Sequence, residues 1–164
     1  MFLGETIAFW VQTVILLLSA LIAIYVIYHN GKMARRRATI DLIINEQKDT
    51  QYNEFYNRVR KMIENQQRLV DLAHELDNTH LQDGEDFTAV RFVLNRLEFI
   101  AQGIRQGAFE EQIYKDLKYT NIMSLWREVR PLVEEIRRKR KVPTYYQELE
   151  WLTSRWKDAP IEKL

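Results

Sequence analysis

Residues 7–28 read IAFWVQTVILLLSALIAIYVIY, a stretch that contains no charged side chain. As a helix rising about 1.5 Å per residue it would be about 33 Å long, enough to cross a hydrocarbon core of about 30 Å. Trp10 lies near one end and Tyr25 and Tyr28 near the other, where aromatic side chains prefer the bilayer interfaces. The sequence therefore predicts a transmembrane helix.

The charges that flank this segment predict its orientation. Glu5 precedes it, whereas Lys32 and the run Arg35, Arg36 and Arg37 follow it. By the positive-inside rule, residues 1–6 lie outside and the chain from about residue 30 onward is cytoplasmic. A cleaved signal peptide would carry its positive charge before a shorter apolar run. The charge order is the reverse here, so we expect a retained single-pass anchor.

Composition limits what the rest of the chain can be. The 164 residues include 24 basic and 23 acidic side chains, and the net charge of +1 gives no overall preference for an acidic partner. The absence of cysteine excludes disulfides, zinc–thiolate sites and thiol catalysis. We expect a basic juxtamembrane helix over residues 29–48, one domain over 49–158 and a tail over 159–164.

Few glycines and prolines, and apolar residues at helical spacing, predict an all-α cytoplasmic bundle of about five helices. The anchor should continue as helix past Gly31, and Asp49 should cap the next helix. Asp83 or Asp86 should cap a central helix that ends at Gly107. Thr144 should open the last helix with a capping box. The helices between the anchor and this last helix are expected over residues 50–76, 87–106, 109–117 and 122–140, the last with a kink or break at Pro131.

Two helix faces carry polar residues at helical spacing. In the anchor, Ala8, Gln12, Ser19 and Ala23 share a face, and small and polar residues there favour self-association or a pore lining. On the central helix, steps of four and three residues align a second set. We interpret this set first as a network that docks helices, then as a solvated face, then as a ligand site. Its members are Arg91, Asn95, Glu98, Gln102 and Arg105.

Two basic clusters are candidate contact surfaces. The first is Arg35–Arg37, which the predicted topology already explains and which could also attract anionic lipid. The second is the run Arg137, Arg138, Lys139, Arg140 and Lys141. A solvated helix end is the favoured interpretation of this run, because cations suit a helix C-terminus, and a lipid or RNA contact is the alternative.

The block from Arg91 to Lys157 resembles a bacterial family of membrane-anchored helical domains of unknown function. The residues that carry the resemblance are Asn95-x-x-Glu98, Gly103-Ile104-Arg105-x-Gly107, the spacing Trp126…Pro131 and a C-terminal Tyr-x-x-x-Glu-Trp-Leu. The resemblance implies a membrane helix joined to a small cytoplasmic domain at a bacterial inner membrane. It implies no activity.

The layout is also similar, more distantly, to the accessory membrane proteins of type VI, RNA-targeting CRISPR systems. That group implies oligomeric membrane pores in antiphage defence and a degenerate Arg-x4-6-His ribonuclease motif. Arg68 and His74 have this spacing, and a His acid–base with an Arg facing the phosphate would be its chemistry. Two solvated residues near a helix end is the favoured interpretation, because the motif is common by chance.

The sequence contains no phosphate loop, nucleophile elbow or clustered metal ligands, so we expect no cofactor, metal or small-molecule substrate. The leading functional prediction is a non-enzymatic, homo-oligomeric membrane effector or pore in antiphage defence, with the lipid bilayer as its first partner. One alternative is a tethered adaptor that recruits a cytoplasmic protein or RNA, through the basic run or a surface of Trp126, Trp151 and Trp156. The other is a weak ribonuclease.

Overall fold

The computed structural model describes residues 2–77 and 84–161, and these ranges contain helices and no strand. In chain order the elements are α1 (Phe2–Lys48), α2 (Thr50–Glu64), a 3₁₀ helix (Leu69–Asp77), α3 (Glu85–Arg105), α4 (Glu111–Arg140) and α5 (Gln147–Asp158). The prediction of an all-α chain that begins with one long apolar helix is confirmed.

The first helix runs without interruption through the apolar segment and the basic segment that follows it. Gly31 lies inside the helix, as the spacing of the isoleucines beyond it predicted. The apolar part of α1 is not buried against any other part of the described chain. It is long and apolar enough to span a membrane, and it contributes nothing to the core of the domain.

Asp49 separates α1 from α2 and caps the second helix, as predicted. Its Oδ1 accepts a hydrogen bond of 2.9 Å from the Tyr52 amide, and its Oδ2 pairs with Arg96 of α3 at 2.6 Å. The prediction that α2 continues to residue 76 is wrong, because α2 ends at Glu64 and Gln66 adopts a left-handed backbone with φ of 56°. Residues 64–68 offer no apolar side chain to bury. The chain then packs Leu69, Leu72 and Ala73 against α4 as a 3₁₀ helix.

The third helix is the centre of the domain, as predicted, and one stripe of its side chains is buried: Val90, Val93, Leu94, Leu97, Ile100 and Ile104. Phe92 and Phe99 form a second apolar stripe at helical spacing, from which we expect burial on a second side of the helix. This expectation is wrong at Phe99, which is 59% exposed. Gly84, not Asp86, is the N-cap residue, and Asp86 lies in the first turn, where it pairs with Arg58. Asp83 lies outside the described residues.

Two glycines make the turn between α3 and α4. Gly107 has φ of +72°, and its amide and that of Ala108 close a Schellman motif on the carbonyls of Ile104 and Gly103. Gly107 therefore ends α3, as predicted. At Gly103 the ring of Phe109 lies 2.4 Å from where a Cβ would be, so any larger residue would push this ring away. Both positions require glycine for packing or backbone geometry.

The fourth helix is a single element, so the predicted break between residues 117 and 122 is wrong. Pro131 lies inside the helix and does not end it. The polar stretch around Tyr119 is held in the helix by tertiary contacts, because the Tyr119 ring packs on Trp156 with centroids 5.9 Å apart. Lys118, which precedes Tyr119, pairs with the Glu46 carboxylate of α1. Such contacts override weak helix propensity.

The fifth helix begins without the predicted capping box at Thr144. Tyr146 is the N-cap residue, with φ of 56° and no capping bond from its own side chain. The cap comes from α3 instead, because the Glu98 carboxylate accepts hydrogen bonds from the amides of Glu148, at 3.1 Å, and Leu149, at 2.8 Å. Burial raises the pKa of Glu98, and these two hydrogen bonds oppose that shift. Docking of α5 on α3 thus depends on a carboxylate that the fold itself has partly desolvated.

We predict that Glu98→Ala lowers the free energy of unfolding by about 1 to 2 kcal/mol, the usual effect of losing an N-cap acceptor. Two amides at the start of α5 would then lack their partner. The measurement is thermal unfolding of the full-length protein in mild detergent, followed by circular dichroism. Asn95→Ala, one turn earlier on an exposed part of the same helix, is the matched control and should change little. Equal effects of the two substitutions would contradict the capping role.

Candidate functional site

The polar contacts that join α1 to the domain form the candidate site, which we call the junction. Beyond the apolar segment, α1 turns one face toward α2 and α4, and three side chains on that face are buried: Thr39, Ile43 and Glu46. Steps of four and three residues place them on one side of the helix. The helix that carries the apolar segment is therefore also a structural member of the domain.

Thr39 caps the fourth helix from outside it. Its hydroxyl donates to the carbonyl of Arg35 at 2.8 Å and accepts the amide of Glu110, the N-cap residue of α4, at 2.7 Å. The side chain is fully buried. A single hydroxyl thus satisfies a helix-terminal amide and fixes the start of α4 against α1.

Glu46 is the most buried charged side chain of the junction, with 2% of its surface exposed. Its Oε2 lies 3.1 Å from Nζ of Lys118, and the Tyr114 hydroxyl donates to Oε1 at 3.4 Å. Burial is the main cause that raises the pKa of Tyr114 well above its usual value, and the negative charge of Glu46 is the second. Tyr114 therefore stays a neutral donor. The same two causes raise the pKa of Tyr52. Because a buried carboxylate is tolerated only when paired, Lys118 and Tyr114 make this position of α1 specific.

The anchor residues selected from the sequence all lie on exposed parts of α1 where their side chains are described. Gln12, Ser19 and Ala23 are exposed, as is Ala8. The Ser19 hydroxyl donates to the carbonyl of Ile15 at 2.8 Å, and that of Thr13 to Phe9 at 2.8 Å. These hydroxyls are thus satisfied within their own helix, which leaves Gln12 as the side chain of this face best able to bond to another helix.

The polar stripe of α3 is divided between two surroundings. Glu98 and Arg105 contact α5, since Arg105 pairs with Glu148 at 2.9 Å and its guanidinium lies 5.2 Å from the Trp151 ring. Arg91 is exposed and lies near Tyr146. Burial raises the pKa of Tyr146 to about 12, and the positive charge of Arg91 opposes this shift. Asn95 and Gln102 are exposed. The stripe thus contributes to helix docking at Glu98 and Arg105, while Asn95 and Gln102 face solvent.

The basic run at the end of α4 is largely engaged within the chain. Arg137 binds Glu150 at 2.7 Å and the Tyr145 carbonyl at 2.8 Å, and Arg138 binds Glu135. Lys139 donates to the carbonyl of Ala73 at 2.9 Å, which ties the end of α4 to the 3₁₀ helix. Arg140 and Lys141 are exposed. The structure therefore gives at least three of these cations a stabilising role.

The three arginines that follow the apolar segment differ in how far the domain buries them. Arg35 is half-buried on the domain side of α1, and its guanidinium approaches the turn at Gly107. Arg36 and Arg37 are exposed.

Arg68 and His74 are both exposed. Arg68 immediately precedes the 3₁₀ helix, and His74 lies within it. The His74 ring nitrogen Nδ1 contacts the carbonyl of Asp71 in its own helix. Within the described residues, no group of three histidine or acidic side chains is placed to hold a metal ion. We assign no chemistry to this pair.

The predicted tryptophan surface is wrong for two of its three members. Trp156 is fully buried and Trp126 is 9% exposed, so both belong to the core. Trp151 is half-buried beneath Arg105. Trp126 and Trp156 are core residues, which removes the aromatic surface, one of the two contact surfaces considered for the adaptor alternative.

Sequence reasoning missed Thr39, Glu46, Tyr114 and Lys118. The signal that could have found Glu46 is its position in the stripe of Leu42 and Ile43, where a charged residue interrupts an apolar face. Its partners lie about 70 residues away, and no pattern in the sequence pairs them.

The fold and the junction define a class of protein in which a compact helical domain is built onto one apolar helix long enough to span a membrane. The chain belongs to the family described as domain of unknown function DUF4760, which it matches over residues 13–156. The match begins inside the apolar segment and includes the junction. No curated protein and no solved structure matches the chain.

We predict that Lys118→Met destabilises the full-length protein by about 3 kcal/mol, because it leaves the Glu46 carboxylate buried without its cation. Adding Glu46→Gln should restore part of the loss, since the double variant has no buried charge. Thermal unfolding in mild detergent compares the two, with Lys61→Met on an exposed part of α2 as the control. A double variant at least as unstable as the sum of the single variants would contradict the pairing.

Proposed function

We propose that this protein is a single-pass protein of the bacterial inner membrane that works as a homo-oligomer and without enzymatic chemistry. The helical domain lies in the cytoplasm, and α1 holds it at a fixed height above the bilayer. The observation that carries the proposal is the continuity of α1, whose apolar half is exposed and whose second half packs one face against the domain. The arginines that follow the apolar segment support the orientation.

Self-association is supported by the composition of the apolar helix. Gln12 carries an amide that lipid cannot satisfy, and a neighbouring helix can. Ser19 and Ala23 on the same face are small enough to let two helices approach. In a bilayer, close packing and interhelical hydrogen bonds are the main forces that bring helices together.

Helix contact is favoured over a water-filled pore. The apolar segment has three non-aromatic polar side chains, Gln12, Thr13 and Ser19, and the hydroxyls of two of them bond to their own backbone. A pore lined by this helix would need polar side chains along its length. We therefore propose an effector that acts through assembly of its cytoplasmic domains, with a pore as the alternative that a large ring would support.

The pathway is proposed from resemblance alone. The layout shared with accessory membrane proteins of type VI CRISPR systems would place such an effector in antiphage defence. Membership of the family gives no link to those systems. If deletion of the gene changed no phage-related phenotype, the proposal of a defence pathway would be wrong, and the proposal of a membrane assembly would be unaffected.

The test is the mass of the full-length protein in lipid nanodiscs, measured by native mass spectrometry. We expect a homo-oligomer, and we expect Gln12→Leu to shift it toward monomer, because an interhelical hydrogen bond of this kind contributes about 0.6 to 2 kcal/mol. Thr13→Leu is the matched control, since its hydroxyl bonds to its own helix. A wild-type monomer would contradict self-association, and a ring of six or more subunits would favour the pore.

A further inference from the structure

The cytoplasmic half of α1 exposes a second stripe on the side away from the domain. Met33, Ile40 and Ile44 are 37%, 47% and 39% exposed, although they are large apolar side chains on a helix that is otherwise docked. At 100° per residue their face is turned by about 115° from the face of Thr39, Ile43 and Glu46, the buried residues of the junction. We call this stripe the free seam.

Ile40 and Ile44 of the free seam lie in water rather than in lipid, whereas Met33, five positions beyond Tyr28, lies at the level of the headgroups. Ile40 is twelve positions beyond Tyr28, which is about 18 Å along a helix, whereas the headgroup layer is about 5 to 8 Å thick. Apolar side chains placed there gain nothing from the bilayer core. Each remains exposed unless another surface covers it.

The free seam continues the face of the apolar segment that carries the small and polar residues. Alternating steps of four and three residues lead from Ile44 back to Gln12, the spacing of the contact positions in a left-handed coiled coil. Along this path lie Gln12, Leu16, Ser19, Ala23, Val26, Asn30, Met33, Arg37, Ile40 and Ile44. One straight face therefore runs from the membrane into the cytoplasm.

We propose that the free seam is covered by a second copy of this chain, in a parallel two-helix coiled coil that extends the contact made in the membrane. The proposal rests on the self-association proposed above and specifies where it occurs outside the bilayer. Because the bilayer holds every copy in one orientation and at one depth, like residues of two α1 helices meet at the same level.

The charges beside the free seam fit this occupant. Arg36 and Asp41 flank the stripe on its two sides and are five residues apart, the separation of the g and e′ positions that face each other across a parallel coiled coil. Both are exposed, and neither takes part in an ion pair among the described residues. A parallel pair would therefore form two Arg36–Asp41 contacts between chains.

Polar residues within the stripe favour two helices over a larger ring. Asn30 occupies a core position of the pattern, where a polar side chain costs stability and specifies register and helix number. Arg37 occupies the next equivalent position, where a parallel pair brings two like charges together at a further cost in stability. The stripe is one contact position wide. The domain packs on another face of α1 and leaves the free seam uncovered.

The test uses disulfide cross-linking in native membranes, because the chain has no cysteine of its own. Single cysteines replace Ile40 and Ile44 in the free seam, Ser19 in the membrane, and Asn45 as an exposed control on another side of α1. We expect oxidation to give dimers from Ile40→Cys, Ile44→Cys and Ser19→Cys and little from Asn45→Cys. Dimers from Ser19→Cys alone would overturn the free seam and keep self-association. No dimer from any of the three would overturn both proposals.

A charge exchange tests the pairing independently of the apolar residues. In the Ile40→Cys background, Arg36→Asp sets like charges opposite each other and should remove most of the dimer. Adding Asp41→Arg restores opposite charges and should restore the dimer. Equal cross-linking in all three chains would overturn the charge pairing that identifies the second copy, as would failure of the double exchange to recover.

Discussion

The ion pair between Glu46 and Lys118 is the contact on which the arrangement of this protein depends. A carboxylate with 2% of its surface exposed needs its cation, so any position of α1 that separates Glu46 from Lys118 is destabilised. Thr39 fixes the same two helices about two turns earlier by capping α4. Together, these two contacts make the part of α1 that follows the apolar segment a structural element of the domain.

Caps supplied by neighbouring helices recur in this fold. The start of α4 is satisfied by Thr39 of α1, and the start of α5 by Glu98 of α3. In both cases a local sequence motif for helix initiation is absent or unused, and the missing acceptor comes from the surface on which the helix docks. The ends of these helices are therefore defined only once the tertiary structure has formed.

The residues that carry the family resemblance have structural roles in this chain. Gly103 and Gly107 make the α3–α4 turn, Glu98 caps α5, and Glu150 pairs with Arg137. None of these roles brings together groups that perform chemistry. The motifs thus identify an architecture, which agrees with a function that depends on where the domain is held.

Local patterns in the sequence predicted the parts of the fold that local physics determines. The apolar length of α1, the Asp49 cap, the buried stripe of α3 and the stop at Gly107 are all readable from neighbouring residues. The errors have long-range causes. Lys118 and Tyr119 hold α4 together through contacts with α1 and α5, and Glu98 replaces the capping box that Thr144 was expected to form.

The junction could not be predicted because its partners are separated by about 70 residues, and the tryptophan surface was wrong because helical spacing does not tell core from surface. Both follow from the same limit, that burial is decided by which helices meet.

The central claim is that apolar helix and domain form one rigid unit, and the distance between them tests it most directly. Spin labels on Tyr28→Cys, at the end of the apolar segment, and Lys157→Cys, on α5, can be placed in a chain that has no other cysteine. Pulsed electron–electron double resonance in nanodiscs would measure the distance between the two spin labels. Dilution of the labelled chain in unlabelled protein would restrict the measurement to pairs within one chain. The account predicts a single narrow distribution. A broad distribution, or one with several peaks, would show that the domain moves relative to the apolar helix and would contradict the rigid unit.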